Sequence, residues 1–146
     1  MPEDQPLNAG LLMFIAYRAM ESRVLAAVAA AGYDDITLAQ ARLFQRIGPH
    51  GTRLTDLAAA AQVTKQTAGF LVDQLERAGY VRRVPDPADA RARLVQIGDR
   101  GAAALPIAAA AVAEVEAEWT EHLGERAMRS LHRTLTRLRD VTDPFA

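Results

Sequence analysis

"QVTKQTAGFLVDQLERAGYV", residues 62–81, opens polar, continues as an apolar stripe and stops at a glycine. Thr64 reads as the N-cap of a helix ending near Ala78, with Gly79 as its terminator. Ala68, Leu71, Val72 and Leu75 follow i, i+3, i+4, i+7 and define a buried face. Lys65, Gln66, Gly69, Phe70, Asp73 and Gln74 fall on the other side. The first turn therefore gathers Thr64, Lys65, Gln66 and Thr67, whose donors and acceptors add nothing to a hydrophobic core. They are aimed at something outside the protein.

Upstream, "DLAAAAQ" reads as a short helix capped by Thr55, with Leu54, Leu57, Ala58 and Ala61 as its inward stripe. A tight turn joins it to the quoted helix, and Ala58 is small enough for close contact. This is helix-turn-helix spacing. Downstream the period changes to two. "YVRRV" alternates, "PDPADA" is a turn cluster, and "RARLVQI" alternates again. Such a hairpin after the second helix makes a winged helix.

The flanks are helical. Asn8 caps a first helix running to about Ala31, where Gly32 supplies the stop; Leu11, Leu12, Ile15, Ala19 and Ser22 continue one face. Thr37 and Gln40 have capping-box form before "LAQARLFQRI", which "GPHG" at 48–51 ends. Another helix runs from Asp99 to about Glu121, with Pro106 as a kink or restart. Gly124 divides it from a last helix carrying Met128, Leu131, Leu135 and Leu138. Glu114, Glu118 and Glu121 line one face of the first of these, and Arg126, Arg129, Arg133 and Arg137 one face of the second. The two stripes either pair, within or between subunits, or stay solvated.

The whole chain bounds the function. Its 146 residues suit one domain, read here as residues 1–146, and half of them are apolar. A net charge of −1 excludes a uniformly basic protein, so nucleic-acid binding needs a local patch. From Arg77 to Arg93 five arginines face only Asp86 and Asp89. The absence of cysteine removes disulfides, thiolate metal sites and thiol redox sensing. "MPEDQPLNAG" lacks the pattern of a signal peptide, and "VLAAVAAA" and "LPIAAAAVA" are too short to span a bilayer. A cytoplasmic location without membrane association is expected. Glu118 and His122 have metal-ligand spacing but no third ligand, and the three histidines have no catalytic partner, so neither a metal, a cofactor nor an enzyme is expected.

Residues 54–101, "LTDLAAAAQVTKQTAGFLVDQLERAGYVRRVPDPADARARLVQIGDRG", resemble the core of MarR-family transcriptional regulators. "LVDQLERAGYV" passes through the recognition helix, "RRVPDP" enters the wing, and Asp89-x-Arg91 follows. The flanking helices fit the family plan too, so the likeness covers most of the chain. Two places depart from it: Ile97-Gly98 stands where Leu-Thr is common, making Asp99 the expected cap, and Phe70 stands where arginine is common.

The resemblance implies a mainly α fold with a small β-hairpin wing. A winged helix-turn-helix DNA-binding lobe over 36–98 would be flanked by dimerisation helices over 8–34 and 99–146. It implies a homodimeric repressor on double-stranded DNA whose recognition helices enter successive major grooves, each wing lying over the flanking minor groove. Thr64 and Lys65 sit where a helix N-terminus attracts phosphate. Gln66 suits an adenine edge, Lys65 a guanine, and Thr67 or Phe70 a thymine methyl. Phe70 packing beneath the wing is the other possibility. Arg91 suits the minor groove, with Asp89 holding its guanidinium, while Arg82, Arg83 and Arg93 suit the phosphate backbone. The family often binds small aromatic or phenolic effectors between the dimer helices and the lobe, where Met13, Tyr17 and Phe44 would lie; all three are equally candidates for the core. Two rival readings stay open: a winged-helix protein-interaction module, and a DNA-binding protein without an effector.

Overall fold

The computed structural model describes residues 5–146; the first four residues of the polar N-terminal stretch lie outside the described residues. Nine elements follow in chain order there: α1 (Ala9–Ala30), α2 (Leu38–Phe44), β1 (Thr52–Arg53), α3 (Leu54–Ala61), α4 (Lys65–Arg77), β2 (Val81–Asp86), β3 (Asp89–Ile97), α5 (Asp99–Leu123) and α6 (Glu125–Thr142). The fold is mainly α with a small antiparallel sheet, a winged helix-turn-helix between long terminal helices.

Local chemistry sets most boundaries where the sequence places them. Asn8 Oδ1 accepts from the Leu11 N–H at 2.8 Å, and Gly32 ends that turn at φ +103°. The Thr37–Gln40 capping box closes in both directions, at 3.0 and 3.2 Å. Thr64 Oγ1 accepts from the Thr67 N–H at 3.0 Å, satisfying an otherwise orphaned donor of α4.

Five expectations change. Thr55 does not cap α3; the N-cap is Arg53, because β1 pairs with β3 (Thr52↔Val95, Arg53↔Leu94) and the helix begins where that pairing stops. β1 itself is a third strand that two residues without periodicity cannot announce. The turn cluster "PDPADA" is mostly strand: Asp86 pairs with Asp89, leaving Pro87 and Ala88 as the turn. Gly98, not Asp99, is the N-cap of α5. A Cβ at Gly98 would lie 2.8 Å from the Gly79 carbonyl oxygen, so no threonine fits there. Finally, α5 runs through Pro106 without a restart. Pro106 and Ala102 are both exposed, so water can satisfy the carbonyl that proline leaves free.

The core lies in the lobe. Leu43, Leu57, Val72, Leu75, Tyr80 and Val95 are fully buried, and α4 contributes its Ala68, Leu71, Val72 and Leu75 face as its spacing indicates. α1 and α6 both pack on α5. Their own apolar stripes stay open: α6 buries no residue, and Leu12, Phe14 and Ile15 of α1 and Leu131, Leu135 and Val141 of α6 are exposed. At the joint, a Cβ on Gly101 would collide with the Tyr80 carbonyl, so this glycine lets α5 lie directly on the lobe. Among the described residues, no helix is long and apolar enough to cross a membrane.

Candidate nucleic-acid interface

The outward face of α4 is left open by its own packing. Burying the Ala68–Leu71–Val72–Leu75 side forces Lys65, Gln66, Thr67 and Phe70 into solvent. Phe70 is 60% exposed, so it does not pack beneath the wing. The Thr64 and Thr67 hydroxyls lie 2.9 Å apart, which orients both at the helix start. The Lys65 and Gln66 side chains have no hydrogen-bond partner among the described residues. Four potential readers therefore stand on one open turn beside the partly positive helix terminus.

The lobe's cations divide into two sets. Arg42 pairs with Glu21, Arg46 with Asp143, Arg53 with Asp86, and Arg83 with Asp73 and Glu76. Lys65, Arg77, Arg82, Arg91 and Arg93 have no carboxylate within ion-pair distance among the described residues. The unneutralised set lies on α4 and the wing. Arg83 departs from its expected use: at 2.8 Å from Asp73 and 3.0 Å from Glu76 it braces β2 against α4, its charge already compensated. Arg82 is exposed and touches Gln96 at 3.3 Å, and Arg91 and Arg93 point from β3 into solvent.

The wing tip is held by two aspartates through backbone hydrogen bonds. Asp86 accepts from the Ala88 N–H at 2.9 Å, and Asp89 from the Arg91 N–H at 3.0 Å. Asp89 thus orients the Arg91 main chain; no ion pair joins its carboxylate to the Arg91 guanidinium, contrary to the expected clamp. Asp86 is the buried one, 8% exposed. The Ala88 N–H and then Arg53 hold its carboxyl below the usual range. Neither the Arg53–Asp86 link nor the Gln40 Nε2–Gln74 Oε1 bond at 3.0 Å, which fastens α2 to α4, follows from periodicity.

The remaining candidates separate. Tyr17 and Phe44 line a cavity between α1, α2 and α5, whereas Met13 lines a groove between α1, α5 and α6, with Tyr17 shared by both. The acidic stripe of α5 does not meet the arginines of α6: Glu114 and Glu118 both bind Arg23 of α1, each at 2.9 Å. That contact takes Glu118 away from any pairing with His122. Among the described residues no group of three metal-binding side chains assembles.

A family model described as "MarR family" matches residues 34–92. Solved structures of the same fold include apo MarR from E. coli (22% identity, TM-score 0.69, covering 92% of this chain and 98% of that one). A transcriptional regulator from Thermotoga maritima is 27% identical at TM-score 0.60, covering 90% of each chain. A MarR-family protein from Mycobacterium tuberculosis, in complex with salicylic acid, is 27% identical at TM-score 0.64, covering 94% of this chain and 99% of that one. No curated protein matches the chain. Residues 34–92 match the MarR-family model, and the chain as a whole has the fold seen in MarR-family transcriptional regulators.

Proposed function

We propose that the protein is a sequence-specific double-stranded DNA-binding regulator that acts in the cytoplasm as a homodimer on a pseudo-palindromic operator. The observation that carries this reading is the sorting of the lobe's cations. Among the described residues, Lys65 of α4 and Arg82, Arg91 and Arg93 of the wing are left exposed without carboxylate partners, and α4 also exposes Gln66, Thr67 and Phe70. A helix of this width fits the major groove, and a β-hairpin bearing Arg91 fits the adjacent minor groove. Two copies supply the two half-sites. The open stripes of α1 and α6, with the groove of about 560 Å³ between α1, α5 and α6, support dimerisation through the terminal helices. Where the operator overlaps a promoter the dimer acts as a repressor, and a small aromatic molecule in the cavity between α1 and the lobe releases it.

Titrating the protein against duplexes captured from genomic fragments, at several salt concentrations, tests the reading. Affinity should fall steeply between low and moderate salt, with a log–log slope of several units. A captured protein partner together with salt-independent or absent DNA binding would favour the protein-interaction module instead.

A further inference from the structure

Among the described residues, one large apolar side chain stands exposed on the lobe. The others, such as Leu12, Phe14, Leu135 and Phe145, belong to α1, α5, α6 or the end of the chain. Phe70 is 60% exposed on the second turn of α4. A ring in that position stays hydrated, at a cost, until something apolar covers it.

Its place on the helix decides what it can meet. Gln66, Phe70, Asp73 and Arg77 follow i, i+4, i+7, i+11 and form the line opposite the buried Ala68, Leu71, Val72 and Leu75. On that line Asp73 is held by Arg83 at 2.8 Å, and Arg77 Nε donates to the Asp73 carbonyl at 3.3 Å. Gln74 and Glu76 are held by Gln40 and Arg83, each at 3.0 Å. Beyond the first turn, Phe70 is therefore the outward side chain of α4 left uncommitted among the described residues. Gln66 precedes it by one turn, about 6 Å along the axis.

We propose that Phe70 reads the C5-methyl group of a pyrimidine. The base pair it faces carries thymine, accepts 5-methylcytosine in its place and rejects cytosine without the methyl. The inference rests on the DNA-binding reading and states what one position of each half-site must be. Base edges in the major groove present hydrogen-bond donors and acceptors, and the C5-methyl is the apolar group among them. A phenyl ring neither donates nor accepts. Laid over a guanine, an adenine or a bare cytosine, it would strip water from polar atoms without replacing the lost hydrogen bonds. Laid on the methyl, it removes apolar surface of both partners from water. 5-Methylcytosine carries the same methyl at the same ring carbon, so methylation of a cytosine at this position raises occupancy.

The test uses the full chain and the duplex it selects from a randomised pool. Each thymine of the half-site is replaced in turn, in both half-sites, by deoxyuridine. A second series places cytosine or 5-methylcytosine opposite guanine at the same positions. Within each comparison only the methyl group changes. At one symmetric position uracil should weaken binding about fourfold per half-site, and 5-methylcytosine should bind more tightly than cytosine by a similar factor. Phe70→Ala, folded by circular dichroism, should lose both differences. Phe70→Leu keeps an apolar side chain and should retain part of them. A selected half-site without thymine, or uracil binding like thymine at every position, would overturn the inference and leave DNA binding in place; a Phe70 that anchors a protein partner would give the latter result. A methyl preference undiminished in Phe70→Ala would also overturn it and give the contact to Thr67. Absence of binding to any duplex would remove the DNA-binding reading and this inference together.

Discussion

Arg53 Nε donates to Asp86 Oδ2 at 2.7 Å, joining the N-cap of α3 to the last residue of β2. The cap position carries no side-chain cap bond of its own, so the helix start forgoes a local acceptor and sends a guanidinium to the wing. Because Asp86 also holds the Ala88 N–H, one buried carboxylate ties the wing turn to the root of the helix-turn-helix. The direction of Arg91 relative to α4 follows from that tie.

Arg53→Ala should therefore weaken operator binding, because the wing loses a charge-assisted hydrogen bond that fixes its turn. The loss should fall on the flanking base pairs under the wing and leave the positions read by α4 unchanged. Sequence selection with the variant checks this. A uniform loss across all positions would mean that Arg53 acts through overall stability instead.

The two sides of the Asp89–Arg91 relationship are separable by substitution. Asp89→Asn keeps an oxygen for the Arg91 N–H and removes a negative charge beside DNA, so it should bind as tightly as wild type or more so. Asp89→Ala loses the backbone tie and should bind more weakly. Arg91→Ala should lower the salt slope by about one unit without unfolding the lobe. Titration of the three variants against one labelled operator gives the order; Asp89→Asn falling with Asp89→Ala would show that the charge itself is required.

Glu21 gives the fold an acid-sensitive bond. Arg42, then Arg18 and Tyr17, outweigh its burial and hold its carboxyl down to about 2, from an ordinary value near 4.5. A group whose pKa is depressed on folding contributes stability that is present above its unfolded pKa and lost as the pH falls through the folded one. The bond between α1 and α2 should weaken progressively from about pH 4.5 toward pH 2. Glu21→Gln should cost about 1–3 kcal/mol at pH 7 and flatten the stability curve over that window. Urea unfolding from pH 7 to pH 3 measures both, and a curve parallel to that of the wild type would contradict the assignment.

Much of this was legible in the chain because it depends on neighbours in sequence. The face of α4, the Thr64 cap, the Thr37–Gln40 box and the glycine stops are all settled within one or two turns. What escaped depends on residues far apart. β1 exists only because β3 offers Val95 and Leu94 to Thr52 and Arg53, and Gly98 is required by the Gly79 carbonyl and the Val81 backbone. The same applies to the site. Exposure of Lys65 and Gln66 follows from helix period, whereas the exposure of Phe70 depends on where the wing lies and the neutralisation of Arg83 by Asp73 and Glu76 needs β2 laid against α4.

The open stripes of the terminal helices predict their own test. Leu135→Arg places a charge in the groove between α1, α5 and α6, which Leu135 lines. It should shift the protein to a monomer in sedimentation equilibrium and abolish operator binding while the lobe stays folded by circular dichroism. A Leu135→Arg dimer that binds its operator normally would place the interface elsewhere.

The central claim is that two copies of α4 read DNA through Gln66 and its neighbours. Selection from randomised duplexes by wild type and by Gln66→Ala tests it most directly. The wild type should enrich an inverted repeat with half-sites one helical turn apart. Gln66→Ala should relax one or two symmetric positions, each by about 1–3 kcal/mol. Enrichment of no sequence by the wild type, or an identical motif from the variant at every position, would contradict the account.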